Sequence, residues 1–207
     1  LQAGDVDLPA AVPEDDGDSL AAARDKARQF HEKWVVGYGH ASVAEHAVAH
    51  LAVEDVSIVA SKVLEDTRLA SFTEKSTRYV VFDRDKFYRE PCIAASAHAA
   101  LYEDTCRFLL DTYTRLMDPV AAAIRAETPR GARQTERAYE GACRAQACDV
   151  LRYILPAATL TNIGMTVNGR LLEHLLTKLL SHPLAECRRI GTLLKTESEQ
   201  IIPTLIK

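Results

Sequence analysis

The first half of the chain combines helix-like and strand-like spacings of apolar residues. The pattern predicts a helix over about 19–34, with Ser19 or the preceding aspartate able to cap its N-terminus. The Gly-Tyr-Gly sequence at 37–39 ends this helix. A compact apolar run at 47–53 predicts a strand, and apolar residues at helical spacing predict a second helix over 56–69.

The second half is dominated by helical spacing. Residues 71–77 are polar without periodicity and predict a loop, whereas the β-forming sequence RYVVF at 78–82 predicts a strand. Four helices are then expected, over about 95–116, 134–155, 167–180 and 183–203. The expected apolar face of the first of these four consists of Leu101, Phe108, Leu109 and Tyr113. This order of elements indicates an α+β fold in which helices dominate.

Length and composition agree with one globular domain. The 207 residues suffice for a substantial core, and we expect an irregular segment over 1–18 followed by a single domain over 19–207. The net charge of −4 argues against a broad nucleic-acid-binding surface. No apolar run reaches the roughly 18 residues of a membrane span, and the acidic N-terminal sequence lacks the features of a signal peptide.

The five cysteines suggest a cellular compartment rather than a function. Their number is odd and no pair has CxxC spacing, which argues against a disulfide framework or a zinc ribbon. We therefore predict a protein of the reducing cytoplasm in which all five are small core residues. They are Cys92, Cys106, Cys143, Cys148 and Cys187.

The segment with the most chemical content runs from Arg68 to Tyr79 and reads RLASFTEKSTRY. It combines two arginines, several hydroxyl groups and a carboxylate without a glycine. Guanidinium groups offer paired donors and serine hydroxyls add short hydrogen bonds, so such a segment suits a phosphate group. From residue types alone, an ordinary charged surface loop is the more frequent explanation.

This segment resembles the pattern R-H-R-x-x-S-x-x-x-x-S-x-R of flavin-dependent thymidylate synthases. The last four fixed positions of the pattern are matched by Arg68, Ser71, Ser76 and Arg78. Members of that family also often carry a glutamate where Glu74 stands and a tyrosine where Tyr79 stands.

Two further blocks carry the same resemblance. The family's G-H-x-[ST]-x-x-E-H block is matched by residues 39–46, GHASVAEH. Its arginine before Leu-Pro is matched by Arg152, and its Thr-x-Asn-x-Arg run by residues 166–170, with His174 one helical turn later. Each block alone is weak evidence for the family, but the three occur in the family's order over about 35–190. The chain is therefore identified as a member of this family.

The resemblance implies a role for each matched residue. Arg78 and Arg152 would bind the phosphate and base of a nucleotide, and Arg78 would also belong to the catalytic set. The remaining substrate-binding residues would be Ser71, Glu74, Lys75 and Ser76. The flavin dinucleotide would contact His40, Ser42, Glu45, Arg68, Asn168, Arg170 and His174. Without the resemblance, Asn168 and Arg170 could simply cap a helix and add surface charge.

The implied reaction is reductive methylation at C5 of UMP or dUMP. It would use FAD, methylenetetrahydrofolate as one-carbon donor and NADPH as reductant. A cation near the N3/O4 edge of uracil would stabilise negative charge as C5 attacks the methylene donor. The resemblance also implies a helix-rich fold with a small, mainly antiparallel sheet, and a homotetramer with active sites between subunits.

The chain departs from the family pattern at two places. The leading Arg-His of the motif is Asp66-Thr67 here. The family also has an arginine in the helix after Asn168, at a position that falls on Leu179 when counted from Asn168 and on Lys178 when counted from Glu186. We favour Lys178 as the catalytic cation, because only a charged residue can perform the electrostatic role.

The departures leave several alternatives open. The chain is similar to a divergent branch, the uridylate C5-methylases of polyoxin-type nucleoside antibiotic pathways. It could instead be a dUMP-specific synthase for DNA precursors, or a non-catalytic nucleotide-binding relative. A zinc hydrolase built on His40, His46 and His50 is disfavoured, because EHAVAH lacks the H-E-x-x-H order, and we expect no metal.

Overall fold

The described structure is a helix-rich chain built around a small sheet. A computed structural model describes residues 17–37, 39 and 41–203. In chain order these residues form α1 (Gly17–His31), a π-helix (Glu32–Gly37), a 3₁₀-helix (Ala41–His46), β1 (Val48–Ser57), α2 (Ile58–Glu65), β2 (Ser71–Glu74), α3 (Pro91–Ala94), α4 (Ala99–Glu127), α5 (Glu136–Leu151), a second 3₁₀-helix (Arg152–Ile154), β3 (Leu160–Asn168), α6 (Gly169–Leu180) and α7 (Ala185–Ile201). None of the described helices combines the length and apolar character needed to cross a bilayer.

The sheet confirms the expected fold class of helix-rich α+β with an antiparallel sheet. Its three described strands have the order β1-β3-β2, and both pairings are antiparallel. Along β3, Ile163, Met165 and Val167 are buried, whereas the residues between them face outward to differing degrees. Because side chains alternate across a strand, one face of the sheet is apolar and the other is more polar.

The main core lies between the apolar face of the sheet and helices α2, α6 and α7. Helix α6 contributes Leu172, Leu175 and Leu179, which recur at helical spacing and are fully buried. A second core forms between α4 and α5 and includes Tyr113. A third is built around Phe82 and Phe87, in the segment between β2 and α3.

A buried carboxylate joins α7 to the start of α2. Glu186 is only 4% exposed, and it accepts hydrogen bonds from the backbone N–H of Ser57 at 2.7 Å and from the Ser57 hydroxyl at 2.6 Å. The same hydroxyl oxygen accepts a bond from the Ala60 N–H and caps α2. This contact fixes the position of α7, and hence of α6, relative to the sheet.

Two sequence predictions are wrong in the segment from Arg68 to Tyr79 and just after it. Residues 71–74 form β2 rather than a loop, because β3 supplies backbone partners and Phe72 packs on the main core. Residues 78–82 do not form a strand. The backbone N–H groups of Tyr79 and Val80 donate to the carbonyl of Ser76, which folds this segment into a turn.

Each of the six predicted helices has a counterpart in the structure, but the short helix α3 was not predicted and several details differ. Strand β3 was not predicted, and the helix expected from residue 167 begins at Gly169. Helix α4 is longer than expected and its predicted face is partly wrong, because Leu101 and Phe108 are 67% and 65% exposed. The buried stripe of α4 instead contains Cys106, Leu110, Tyr113, Met117, Ala121 and Ile124. All five cysteines are free thiols, but only four are buried, since Cys92 lies exposed on the short helix α3.

Candidate functional site

Two predicted nucleotide-binding arginines meet on one carboxylate. Arg78 lies in the turn after β2, and Arg152 begins the 3₁₀-helix after α5. Asp149 Oδ1 lies 3.1 Å from the Nε of Arg78 and 3.2 Å from the Nε of Arg152. Each contact engages Nε, one of the five N–H donors of a guanidinium. The structure therefore brings together two cations that are 74 residues apart in sequence.

Asp149 was not among the sequence-predicted site residues. Its Oδ1 atom is shielded from solvent and has no well-aligned hydrogen bond within the described part of the chain. The charge of the two guanidiniums stabilises it there, since a buried carboxylate oxygen without compensation is costly. A signal existed in the sequence: Asp149 lies three residues before Arg152, a spacing that places side chains on one face of a helix.

The hydroxyl groups and the carboxylate of the segment from Arg68 to Tyr79 lie along β2 and the turn that follows it. The Ser76 hydroxyl accepts a hydrogen bond from the Arg78 backbone N–H at 3.2 Å, which orients the turn that carries the guanidinium. Ser71 is exposed at the start of β2, opposite Thr166 of β3. The Lys75 ammonium lies 5.1 Å from the centre of the Phe82 ring.

Glu74 belongs to a small acidic region next to α2. The Ser61 hydroxyl donates to its Oε1 at 3.0 Å, so this carboxylate is held at the inner side of β2. Burial and, secondarily, the charge of Glu74 raise the pKa of the Glu65 carboxyl, while Lys62 partly offsets the shift. Glu74 is thus half-buried and hydrogen-bonded rather than fully available to a ligand.

Several of the predicted flavin-binding residues lie together near the beginning of α6. The guanidinium of Arg170 contacts the carboxylate of Glu45, which lies on the same 3₁₀-helix as Ser42. Both side chains of the pair are about half exposed, at 54% and 48%. The Gly169 N–H donates to the Ala47 carbonyl at 2.8 Å and joins the two segments.

Asn168 lies at the start of α6, and His174 lies near its middle. The Asn168 side chain accepts a hydrogen bond from the Leu171 N–H at 2.9 Å and caps the helix. His174 is exposed one turn after Arg170. The sequence alone left open that Asn168 merely caps a helix and that Arg170 merely adds surface charge. Asn168 does cap α6, whereas Arg170 is held in an ion pair.

The two departures from the family pattern lie against each other. The Lys178 ammonium is 3.3 Å from Oδ2 of Asp66. Thr67 is buried, and Arg68 is exposed in the turn that leads to β2. The predicted catalytic residues therefore belong to two clusters within one chain: Arg78 lies with Asp149, and Lys178 lies with Asp66.

The structure does not place one predicted cofactor residue and shows no candidate metal cluster in its described ranges. His40 lies outside the described residues. Over the described ranges, no three or more histidine, cysteine, aspartate or glutamate side chains are grouped closely enough to hold a metal ion. His50, considered for such a site, instead forms a 2.9 Å hydrogen bond between its Nδ1 and the hydroxyl of Thr166 across the sheet.

Comparison with known families decides what this architecture represents. A family model described as "Thymidylate synthase complementing protein" matches residues 2–204. The chain belongs to this family. The family resemblance carried by the three sequence blocks is thereby confirmed.

Curated relatives of the thymidylate synthase complementing family differ from this chain in length. The chain is 42% identical over 205 residues to a UPF0159 protein of Chlamydia pneumoniae, covering 93% of this chain and 39% of that protein. It is 34% identical over 152 residues to a flavin-dependent thymidylate synthase of Thermococcus kodakarensis, covering 73% of this chain and 54% of that enzyme. The chain thus spans well under two thirds of the length of these relatives.

Solved structures of the family share the fold at low sequence identity. A flavin-dependent thymidylate synthase, ThyX, of Helicobacter pylori complexed with FAD and dUMP superposes with a TM-score of 0.59 at 17% identity, over 88% of this chain and 82% of that one. A UMP/dUMP methylase, PolB, of Streptomyces cacaoi bound to 5-bromo-dUMP also gives 0.59, at 19% identity, over 91% of this chain and 81% of that one. At these identities the likeness establishes the fold alone.

Proposed function

We propose that this chain carries out flavin-dependent reductive methylation at C5 of a uridine nucleotide. The observation that carries the proposal is the convergence of Arg78 and Arg152 on Asp149, next to the Ser76 turn. Two guanidiniums held about 3 Å from one carboxylate oxygen form an anchored cationic pair. Such a pair suits the phosphate and the polar edge of a pyrimidine nucleotide. Ser71, Glu74, Lys75 and Ser76 complete the proposed substrate-binding set.

The residues at the beginning of α6 fit the flavin dinucleotide that the family implies. Arg170 and Glu45 are half exposed and held together, and His174 follows on the same helix. We assign this region, with Ser42, Asn168 and the exposed Arg68, to FAD. When bound and reduced by NADPH, the flavin would supply the hydride that completes the new methyl group. The one-carbon donor is proposed to be methylenetetrahydrofolate and the reductant NADPH.

Lys178 is the proposed catalytic cation. As C5 of uracil attacks the methylene donor, negative charge develops on the ring, and an ammonium near the N3/O4 edge lowers the energy of that state. Lysine presents a single point charge where arginine presents a planar fork. The base would therefore be held less rigidly than by the arginine of other family members. Active sites are proposed to lie between the subunits of a homotetramer.

Two nucleotides satisfy the same phosphate and base contacts. UMP and dUMP differ only at the ribose 2′-position, and the choice between them depends on polar groups left unpaired in the pocket. We favour a pocket that accepts UMP as well as dUMP, as expected for a nucleoside-antibiotic pathway enzyme acting in the reducing cytoplasm. The alternative is a dUMP-specific synthase that supplies DNA precursors.

The proposal is tested by assaying the purified protein with FAD, NADPH, methylenetetrahydrofolate and either UMP or dUMP. We expect a yellow protein and a product 14 mass units heavier than the substrate, as one added CH₂ group requires. Mass spectrometry of the product measures both activity and nucleotide preference.

A non-catalytic nucleotide-binding relative is the second candidate. It is motivated by Asp66 and the buried Thr67, which stand where the family has Arg-His. Binding of dUMP or UMP by calorimetry, with no turnover under any reductant, would support this candidate. A colourless protein that takes up neither FAD nor nucleotide would rule out both.

A further inference from the structure

The two sequence departures from the family pattern are in direct contact. Asp66 follows the last residue of α2, Lys178 lies in the last turn of α6, and their charged atoms are 3.3 Å apart. The two residues are separated by 112 positions in sequence. Where the family has a cation at both positions, this chain has one anion and one cation. The contact therefore makes the two departures a single complementary change.

The anion end of this pair is fixed by local structure. The backbone N–H of Asp66 donates to the carbonyl of Lys62 at 3.1 Å and closes the end of α2. The adjacent Thr67 is buried and its N–H donates to the carbonyl of Leu64 at 3.2 Å. The carboxylate thus extends from an anchored piece of backbone, although its side chain is 72% exposed.

Asp66 does not stabilise α2 through the electrostatics of the helix end. The C-terminus of a helix carries a partial negative charge, so an aspartate there is unfavourable and an arginine would be favourable. The carboxylate is compensated across the fold by the Lys178 ammonium. The interaction that stabilises the Asp66 carboxylate therefore comes from Lys178 and not from the end of α2.

Lys178 needs such a partner more than an arginine would. A lysine ammonium sits on a flexible four-carbon chain, and holding it in one orientation costs side-chain entropy. One ion pair restricts that freedom, while the ammonium retains further N–H donors because it has three in all. Lys178 is only 35% exposed, so the lower part of its side chain is already restrained by packing.

We propose that Asp66 is a positioning residue that holds the Lys178 ammonium in its working orientation. This inference rests on the proposed function, in which Lys178 acts on the uracil ring. Asp66 does not touch substrate; it acts through Lys178. The chain therefore replaces the rigid arginine of other members by a lysine together with its own carboxylate anchor.

The test is a double-mutant cycle on turnover of dUMP. Asp66→Asn removes the charge and keeps the shape, and we expect kcat to fall about fivefold with a smaller change in KM, the scale of a half-exposed ion pair. Asp66→Glu should restore part of the loss. In a Lys178→Met background, where residual turnover is measured at high enzyme concentration, Asp66→Asn should have no further effect.

The matched control is Glu199→Gln. It removes the acidic partner of another partly exposed lysine, since Glu199 pairs with Lys195 at 3.8 Å on α7. We expect its kcat to equal that of the unmodified protein. An equal loss of kcat from Asp66→Asn in both backgrounds, a loss no larger than that of the control, or a rise in kcat would overturn the proposal.

A contact measurement separates this inference from the proposed function. Lysines are reductively methylated with ¹³C, which keeps their charge, and the Lys178 resonance is identified by its loss in Lys178→Arg. Asp66→Asn should shift that resonance and Glu199→Gln should not. An unshifted resonance would overturn the positioning role even in an active enzyme. Absence of turnover in the unmodified protein with the shift present would overturn the proposed function and, with it, the catalytic purpose assigned to the pair.

Discussion

At the scale of single residues, Lys178 offers the sharpest test of the chemistry. Lys178→Met keeps the length of the side chain and removes its charge. We expect kcat to fall at least about 100-fold, the typical loss when one group that stabilises developing negative charge is removed. FAD absorbance should be retained, because most of the residues assigned to FAD lie at the beginning of α6 or in other segments.

The control for this variant is Lys195→Met, which removes a lysine of comparable exposure from α7. It should turn over dUMP at the rate of the unmodified protein. If Lys178→Met were equally active, Lys178 could not be the cation that acts on the uracil ring.

Asp149 leads to a different expectation, on nucleotide affinity. Asp149→Ala removes the anion that holds the guanidiniums of Arg78 and Arg152 together, and two like charges then repel. We expect the dissociation constant of dUMP, measured by calorimetry, to rise about fivefold to tenfold, as for the loss of one or two partly exposed ion pairs.

A matched carboxylate separates this effect from a general change in charge. Asp111 pairs with Arg84 at 3.4 Å on α4, and Asp111→Ala should leave the affinity unchanged. Tighter binding by Asp149→Ala would mean that Asp149 competes with the phosphate instead of positioning its ligands.

These residues also mark how far the sequence predicted the site. The family pattern grouped Arg78 with Arg152, and the structure joins them; the Glu45–Arg170 pair likewise links two of the matched blocks. Asp149 was missed because no motif contains it. The sequence around Asp66 and that around Lys178 do not predict the contact between them, because it depends on how α2 and α6 pack.

At the scale of elements, Glu186 holds together pieces that are distant in sequence. Glu186→Ala leaves the N–H and hydroxyl of Ser57 without partners in the interior and loosens α7 against β1 and α2. We expect the free energy of unfolding, measured with urea, to fall by about 3 kcal/mol.

Two companion variants define the cause of that loss. Glu186→Gln retains the shape and one acceptor and should lose less than Glu186→Ala. Glu197→Ala changes an exposed glutamate on the same helix and should change stability by less than about 0.5 kcal/mol. Equal stability of Glu186→Ala and Glu197→Ala would contradict the role assigned to the buried carboxylate.

The sheet shows why element prediction was uneven. Strand β3 carries a period-two signal in Ile163, Met165 and Val167, but it runs directly into α6, and the helical pattern of α6 obscured its end. The β-forming residues at 78–82 find no strand partner in the described structure and pack into turns and small cores instead. Strand propensity describes a fit to a half-buried surface, so it fails where no neighbouring strand is available.

At the scale of the whole molecule, the described chain divides the proposed catalytic groups between two clusters. Arg78, Arg152 and Asp149 form one, and Lys178 with Asp66 forms the other. The family resemblance implies a homotetramer in which active sites lie between subunits. A complete site would then combine the arginine cluster of one subunit with the lysine cluster of a neighbour, as symmetric assemblies allow.

This arrangement predicts that two inactive variants rescue each other. Arg78→Ala and Lys178→Met should each have little activity alone, but tetramers assembled from both by co-expression should recover about a quarter of normal turnover, since random mixing leaves that fraction of shared sites intact. Arg78→Ala combined with Arg152→Ala is the matched control. Those two arginines share Asp149 within one chain, so every site of the mixed tetramers would still lack one of them and the mixture should stay inactive. If the first mixture stayed as inactive as its parents, while its mass confirmed mixed tetramers, Arg78 and Lys178 would have to serve a site within a single chain.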